Sequence, residues 1–241
     1  MNRAMEVAAS GMAAEQAALE TVTENLANAD VTAFKQALTN VRPFGAQDAG
    51  LGVSVEGKRL VLTQGKLVAS GGPCDLAIRG EGFFAVQRGN ELAFTRDGAF
   101  VRNAAGQLCN SDGWHLPGLH IAANVEQLKV EPDGHVAVKT AQGTATIGRI
   151  RLALFAAPEQ LHALTPTLFE ATAASGAATY LAPNVERGPS IAFGMLEHAN
   201  VSIVDAMMEI MQTQRAYEAD AKGVQAADDM TRIANNLEHG S

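Results

Sequence analysis

Histidine and cysteine side chains are the first candidates for chemistry in this sequence. His115 and His120 lie near Cys109 and Asp112 in the chain, and these residue types bind zinc and related metals. Their spacing matches no usual ligand pattern, and Pro117-Gly118 between the two histidines predicts a turn. We therefore expect no metal site and no cofactor.

A glycine-rich segment offers a second candidate, a loop that cradles phosphate. The segment runs Gly80-Glu81-Gly82-Phe83-Phe84. A phosphate loop must open onto a helix whose N-terminus meets the anion. Here a strand pattern follows, and the loop contains no lysine. We interpret the segment as a tight turn that directs Phe83 or Phe84 into a β core.

Carboxylates beside turn residues could act as acids or bases. Asp97 precedes Gly98, and Asp133 precedes Gly134, in both cases between apolar runs. Asp-Gly in that setting is typical of a hairpin turn. Serine, histidine and aspartate also occur, but without the GxSxG context of a nucleophile elbow. The sequence nominates no catalytic residue, so we do not expect an enzyme.

Composition and charge restrict the class of protein. Of 241 residues, 47% are hydrophobic and 18% are charged, which is a globular composition. The net charge is −8, and the longest basic run is the pair Lys58-Arg59, so nucleic acid is not an expected partner. Cys74 and Cys109 belong to no CxxC pair, and we predict two free thiols, with a single bridge between them as the alternative.

Neither a membrane span nor a cleaved leader is expected. No stretch approaches ~20 uninterrupted apolar residues, which is the length that crosses a bilayer. Residues 1–6 lack a basic region followed by an apolar one. If the protein leaves the cytoplasm, we expect export without a cleaved signal peptide.

An N-terminal helix is the first element that the pattern predicts. Apolar residues fall seven apart at Met5, Met12, Leu19 and Leu26, and Ala8, Val22 and Ala29 follow members of that series by three. This spacing is typical of a helix that packs along one seam. After Gly11 no glycine or proline interrupts it, so we predict a helix over about residues 3–28.

The C-terminal part carries a matching pattern. Apolar residues recur every seven positions at Ile203, Ile210, Tyr217 and Val224, with Ala206, Met207, Met211 and Ala221 beside them. Asn200 or Ser202 can cap the helix, and Asp205 suits its first turn. The pattern predicts a helix over about residues 203–237.

Between the helices the apolar period changes to two, as in β-strands. Strands are predicted within 53–62 and at 76–78, 83–86, 92–95 and 150–154, the last with one solvent-facing side. Residues 157–192 are poorly patterned and are interpreted as a connection. The predicted fold class is α+β, with long terminal helices that pair as a coiled coil and a central, mostly antiparallel β domain, sandwich- or barrel-like.

Self-association follows from the two helices. A helix with an apolar seam needs a partner, and two broad apolar faces leave surface uncovered after they pair. The predicted assembly interface consists of Met5, Met12, Leu19, Val22, Leu26, Ile203, Met207, Ile210, Met211, Tyr217 and Val224. We assign 1–36 and 193–241 to helical assembly segments and 37–192 to the β domain with its connections.

Several segments resemble the flagellar rod/hook axial protein family. Asn25-Leu26-Ala27-Asn28 with Thr32-Ala33-Phe34-Lys35 is similar to the family's NLAN…T-G-F-K block, with alanine in place of glycine at position 33. Asp75–Val86, which contains Gly80, Gly82, Phe83 and Phe84, resembles D-x-A-I-x-G-x-G-F-F-x-V. Phe94–Phe100, which contains Arg96-Asp97-Gly98, resembles Y-T-R-D-G-x-F. Gly194–Val201 resembles G-x-L-E-x-S-N-V, and Gln214-Arg215-Ala216-Tyr217-Glu218-Ala219-Asp220 resembles Q-R-A-Y-E-A-N.

The resemblance implies a structural subunit of the bacterial flagellar basal-body rod, most like the distal rod protein. It further implies export through the flagellar type III apparatus, a location in the rod that crosses the periplasm, and contacts with other copies and other rod/hook axial proteins. Two alternatives stay open. One is a proximal rod protein of the same family, and the other is a β-domain binding module with helical dimerisation arms.

Overall fold

The computed structural model describes residues 3–43, 52–184 and 188–239. A helix lies at each end, α1 (Arg3–Ala27) and α2 (Ile203–His239), with antiparallel strands between them. The strands are β1 (Ala37–Pro43), β2 (Val53–Leu60), β3 (Leu67–Ala69), β4 (Leu76–Arg79), β5 (Phe83–Arg88), β6 (Glu91–Thr95), β7 (Val101–Arg102), β8 (Leu108–Cys109), β9 (Gln127–Val130), β10 (His135–Thr140), β11 (Gly143–Arg149), β12 (Leu152–Leu154), β13 (His162–Ala163), β14 (Leu168–Glu170), β15 (Thr179–Leu181), β16 (Ser190–Phe193) and β17 (Met195–Glu197). The predicted α+β class with an antiparallel centre is confirmed.

Both predicted helices are present, with ends within two residues of the prediction. The Ser202 hydroxyl accepts the Asp205 N–H at 3.3 Å, and the Ser202 carbonyl accepts the Ala206 N–H at 2.9 Å. Ser202 is therefore the N-cap that one of the two sequence alternatives named. None of the described helices is long and apolar enough to cross a membrane.

The largest sheet has six strands in the order β13-β14-β6-β5-β12-β15. A three-stranded sheet follows the order β11-β10-β9, and four further pairs are β1-β2, β16-β4, β17-β3 and β7-β8. Every described pairing is antiparallel.

The chain forms two compact units. The helical unit contains the described residues within Met1–Ala27, Ala37–Leu60 and Ser202–Ser241. The β unit contains those within Asn28–Gln36 and Val61–Val201. The β1-β2 ribbon thus belongs to the same unit as the helices, whereas the predicted boundaries counted it with the β domain. The role of the terminal segments in assembly stays a prediction.

The β unit is built around one aromatic and aliphatic core. Phe84 and Phe100 meet edge to face with ring centroids 5.6 Å apart, and Trp114 is buried in the same cluster. Phe83, on the other face of β5, packs against Phe155 and Phe169 at 5.9 Å each. Both phenylalanines after the glycine segment are therefore buried, since β5 is an inner strand.

Three local predictions need correction. Asp97-Gly98 does not close a hairpin, because β6 pairs with β5 and β14 while β7 pairs with β8. The predicted strand 150–154 is limited to β12, and Ala153 is buried instead of solvent-facing, because β12 lies between β5 and β15. Residues 157–192, interpreted as a connection, contain β13, β14, β15 and part of β16.

Other local predictions hold. The turn at Asp133-Gly134 joins β9 to β10, and Gly134 has a φ of 89° that glycine adopts without strain. Cys74 and Cys109 are free, as predicted, and both are buried.

Candidate assembly surface and buried junction

The two helices pack along a seam of small residues on α2. Ala206, Thr213 and Ala227 are buried, and they fall on one heptad series, with seven residues between the first two and fourteen between the last two. Asp220 continues the series, and a Cβ added to Gly11 of α1 would lie 2.4 Å from its Oδ2 atom. A glycine at this point of α1 therefore allows the helices to approach closely. This spacing of small residues was the available sequence signal, which we missed by following the larger apolar side chains.

The predicted interface residues divide by burial. On α1, Val22 is buried, and Met5, Met12, Leu19 and Leu26 are partly buried. On α2, Ile210 and Val224 are partly buried, whereas Ile203, Met207, Met211 and Tyr217 are exposed. The surface that is open to a partner is therefore mostly on α2.

An apolar stripe covers the first turns of α2. We define it as Ile203, Val204, Met207, Met208 and Met211, each of which is about half exposed or more. At about 100° per residue, the centre of the stripe lies roughly 130° around the helix from Ala206, with Ile203 at the edge nearest to the seam. The stripe is thus separate from the surface that packs on α1.

Asn25 anchors α1 to the β1-β2 ribbon. Its side-chain amide donates to the Ala37 carbonyl at 2.7 Å, and its Oδ1 accepts the Ala37 N–H at 2.9 Å. One turn earlier, Thr21 and Thr39 share a hydrogen bond of 2.8 Å. The amide nitrogen and the amide oxygen of the first asparagine in the NLAN-like block therefore both form hydrogen bonds inside the helical unit.

A buried ionic network lies within the β unit. The Lys35 ammonium lies 2.6 Å from Glu197 Oε1, and the Arg96 Nε lies 2.9 Å from Glu197 Oε2. The side chains of Lys35 and Glu197 are 0% exposed, and that of Arg96 is 3% exposed. Three segments far apart in sequence therefore meet at one carboxylate. We call this network the buried junction.

The remaining polar atoms of the junction are also satisfied. Arg96 donates to the Gly80 carbonyl at 2.8 Å and to the Gly82 carbonyl at 3.2 Å. Glu197 Oε1 accepts the Gly65 N–H at 2.8 Å, and Lys35 donates to the Thr63 carbonyl at 2.9 Å. Gly80 and Gly82 have φ values of 98° and 115°. These conformations turn both carbonyls toward Arg96, so the glycine segment binds a guanidinium.

Charge does not balance at the junction, because two cations share one carboxylate. Burial lowers the pKa of Lys35 below its ordinary value, and Arg96 lowers it further, while Glu197 opposes both effects. A buried cation that lacks its own carboxylate costs free energy. The described contacts show how that cost is limited, since each cation also binds backbone carbonyls.

The segment before Lys35 is held by backbone contacts within the same unit. Ala33 donates to the Glu197 carbonyl at 2.7 Å and has a φ of 58°. Alanine thus adopts the left-handed conformation that glycine favours. Phe34 is buried, and its carbonyl accepts the Asn200 N–H at 3.4 Å. Asn200 Oδ1 also accepts the Gln36 N–H at 2.7 Å.

Asp97 occupies a different environment from Arg96. Burial raises the pKa of its carboxyl above the ordinary value, and the bond that Oδ1 accepts from the Ala99 N–H acts in the opposite direction. The adjacent Gly98 lies against β4, where its carbonyl accepts the Leu76 N–H at 3.0 Å. A Cβ on Gly98 would lie 1.6 Å from the Leu76 carbonyl oxygen, so only glycine fits.

The remaining candidates are a carboxylate–histidine group and the Gln214–Glu218 block. Within the described ranges, the group with metal-ligand spacing is Glu131, Asp133 and His135, in the β9-β10 turn, and does not include His115 or His120. The Asp133 carboxylate oxygen Oδ2 also lies 3.9 Å from the Arg149 guanidinium nitrogen Nη2. The guanidinium therefore supplies positive charge beside a carboxylate that a metal ion would need. In the Gln214–Glu218 block, Tyr217 is exposed, as are Gln214, Arg215 and Glu218.

The terminal helices pack against each other, and α2 keeps an exposed apolar stripe, which is the kind of surface at which the subunits of an assembly meet. Comparison with known proteins is more specific. "Flagella basal body rod protein" matches residues 5–35, "Flagellar hook protein FlgE/F/G D1 domain" matches 77–138, and "Flagellar basal body rod FlgEFG protein C-terminal" matches 193–237.

Curated relatives match almost the whole chain. Flagellar basal-body rod protein FlgG of Caulobacter vibrioides is 34% identical over 98% of this chain and 99% of that protein. FlgG of Borreliella burgdorferi is 33% identical over the same shares. FlgF of Caulobacter vibrioides is 32% identical over 97% of both chains. The chain belongs to the flagellar basal-body rod protein family.

Proposed function

We propose that this protein is a structural subunit of the bacterial flagellar basal-body rod that polymerises helically through its terminal helices to form the axial drive shaft. The observation that carries the proposal is the apolar stripe of α2, which lies on the side of the helix away from its α1 partner. Family membership supplies the biological setting.

Burial of the stripe would contribute substantially to assembly. Burial of a Met, Val or Ile side chain contributes roughly 1.5–3 kcal/mol at full coverage. Partial coverage of five such side chains would offset much of the entropy that a subunit loses when it joins a polymer. Three of the five are methionines, whose flexible side chains adapt to non-identical neighbours. Subunits in a helical rod meet their neighbours in several such ways.

We propose that the paired helices continue into a coiled-coil layer shared between copies. The partly buried residues of α1 (Met5, Met12, Leu19 and Leu26) support this, because they retain apolar surface after packing on α2. Partners would be other copies and other rod/hook axial proteins. Export through the flagellar type III apparatus would deliver the chain to the rod in the periplasm.

A charge substitution on the stripe tests this proposal. Met207→Lys with Met211→Lys should keep the folded subunit, because both side chains are exposed, yet should block growth of polymers. Leu92→Lys with Val101→Lys is the matched control, with the same added charge on exposed residues of the β unit. Molecular mass against concentration by light scattering, with electron microscopy of the products, gives the readout.

Open-ended growth of the wild type and the control, with a monomeric stripe variant, supports the rod subunit. Polymers of the stripe variant that match the wild type would refute the role of the stripe. A stable closed dimer at all concentrations would favour the binding module with dimerisation arms.

Rod position needs a separate experiment, since the relatives carry two rod-protein names. We place the subunit in the distal rod because of the Arg96–Gly98 and Gln214–Glu218 blocks. Electron microscopy of basal bodies from cells that lack this chain should then show a short rod that stops part-way. Loss of the whole rod would instead favour a proximal position.

A further inference from the structure

One cavity of the β unit is an open groove of about 820 Å³ beside the β9-β10-β11 sheet. Its apolar part includes Val125, Leu128 and Phe193, which pack partly against the core and stay partly exposed. The volume lies within the range of sites that hold ligands or peptide side chains. The groove lies entirely within the β unit, so its shape belongs to a single compact body.

Three cations surround this apolar surface. Arg102, Lys129 and Lys139 line the groove and are exposed, whereas Glu126 is the carboxylate of the lining. In the part of the chain that the structure describes, none of the three cations forms a salt bridge. This surplus of positive charge occurs in a protein whose net charge is −8.

The sheet register places two of these cations on the same face. Lys129 of β9 is opposite Ala137 of β10, and Lys139 of β10 is opposite Gln127 of β9. Lys129 and Lys139 are therefore diagonal neighbours across the pair, close enough for like charges to repel. Their repulsion destabilises the sheet while the groove is empty. An anion bound between the two ammonium groups would offset that repulsion.

We propose that this groove binds an acidic peptide segment of another protein. Its carboxylates would meet Arg102, Lys129 and Lys139, and its apolar side chains would cover Val125 and Phe193. A nucleic acid fits less well, because three cations neutralise few phosphates and Phe193 is the one aromatic side chain of the lining. The binding would be independent of the α2 stripe.

Selection from a phage-displayed library of random peptides, on the immobilised full chain, tests the proposal. Enriched peptides should combine Asp or Glu with apolar residues. Measured by fluorescence anisotropy, their affinity should fall roughly tenfold or more in Lys129→Glu with Lys139→Glu, since two attractive contacts become repulsive. Lys66→Glu with Arg79→Glu, which reverses two exposed cations of the β unit outside the groove, should bind as the wild type does.

Several results would overturn the proposal. These are enrichment of neutral or basic peptides, no enrichment, or an equal loss of affinity in the control variant. Tighter binding of a single-stranded oligonucleotide at the groove than of any selected peptide would also overturn it. So would loss of self-association in the groove variant without peptide binding, which would make the groove a contact between copies. Unchanged Trp114 fluorescence in both variants shows that the β unit is folded.

Discussion

Removing the shared carboxylate of the buried junction should cost far more than removing its lysine. Glu197→Gln leaves Lys35 and Arg96 as two buried cations without an anion, a situation that typically costs about 3–5 kcal/mol. Lys35→Met leaves the Arg96–Glu197 pair balanced, and Glu197 Oε1 keeps the Gly65 N–H. We expect it to cost about 1–2 kcal/mol, mostly for hydrogen bonds to charged groups.

Urea unfolding followed by Trp114 fluorescence measures this difference. The chain has one tryptophan, which is buried in the core of the β unit, so its signal reports that unit. The protein must be dilute enough to be monomeric, since assembly would add stability. The free energy of unfolding should be lower for Glu197→Gln than for Lys35→Met by about 2 kcal/mol or more.

Two substitutions of exposed residues in the same unit serve as controls for the change in the free energy of unfolding. Glu131→Gln and Lys66→Met change the same residue types at the surface and should stay within about 0.5 kcal/mol of wild type. The reasoning about charge balance is wrong if Lys35→Met costs as much as Glu197→Gln. It is also wrong if Glu197→Gln falls within the range of the two surface controls.

Three further predictions use the same fluorescence assay. Ala33→Gly should change stability by less than about 0.5 kcal/mol, because relief of the positive φ offsets the loss of the buried methyl group. Ala77→Gly, at a fully buried position of β4, should cost about 1.5–2 kcal/mol. Equal costs for the two variants would contradict this. Gly98→Ala should cost more than about 3 kcal/mol or prevent folding, since the backbone of Leu76 occupies the space of the new Cβ, and a wild-type midpoint would exclude that contact. Asp97→Asn should stabilise the protein at neutral pH: the raised pKa means that the wild-type carboxyl contributes stability at low pH and loses it as the pH rises through the folded-state pKa. The advantage of the variant should shrink as the pH falls through the raised folded-state pKa and should be gone below the ordinary carboxyl value. A difference that is constant with pH would contradict the sign.

The sequence predicts the two helices well because their signal is local. Each has a long apolar repeat, and Ser202 supplies a cap at the start of α2. It predicts less well which face of α2 packs against α1. The heptad pattern favours large apolar side chains such as Met207 and Met211 as the packing residues. Close packing of two helices instead favours small side chains such as Ala206 and Thr213. The apolar spacing alone therefore does not separate the side chains that pack between the helices from those that stay exposed. The assembly role of the exposed ones stays a prediction.

Short strands and the buried junction could not be predicted from local pattern. β13 and β14 have only two and three residues, too few for an apolar alternation to show. Lys35, Arg96 and Glu197 lie 61 and 101 residues apart along the chain, and nothing in their neighbours indicates that they meet. The signal that could have joined them was their presence in separate blocks of the family resemblance.

The resemblance blocks separate into two physical roles. The blocks that contain Lys35, Gly80, Arg96 and Glu197 meet at the Glu197 carboxylate inside the β unit. Each block therefore supplies a buried partner for a charged group of another block. The Gln214–Glu218 block instead lies open on α2. Damage to a junction block should therefore lower the stability of the isolated subunit, while damage to the α2 surface should leave that stability unchanged and alter assembly alone. Junction variants that unfold at the wild-type urea concentration, yet fail to polymerise, would show that this separation is wrong.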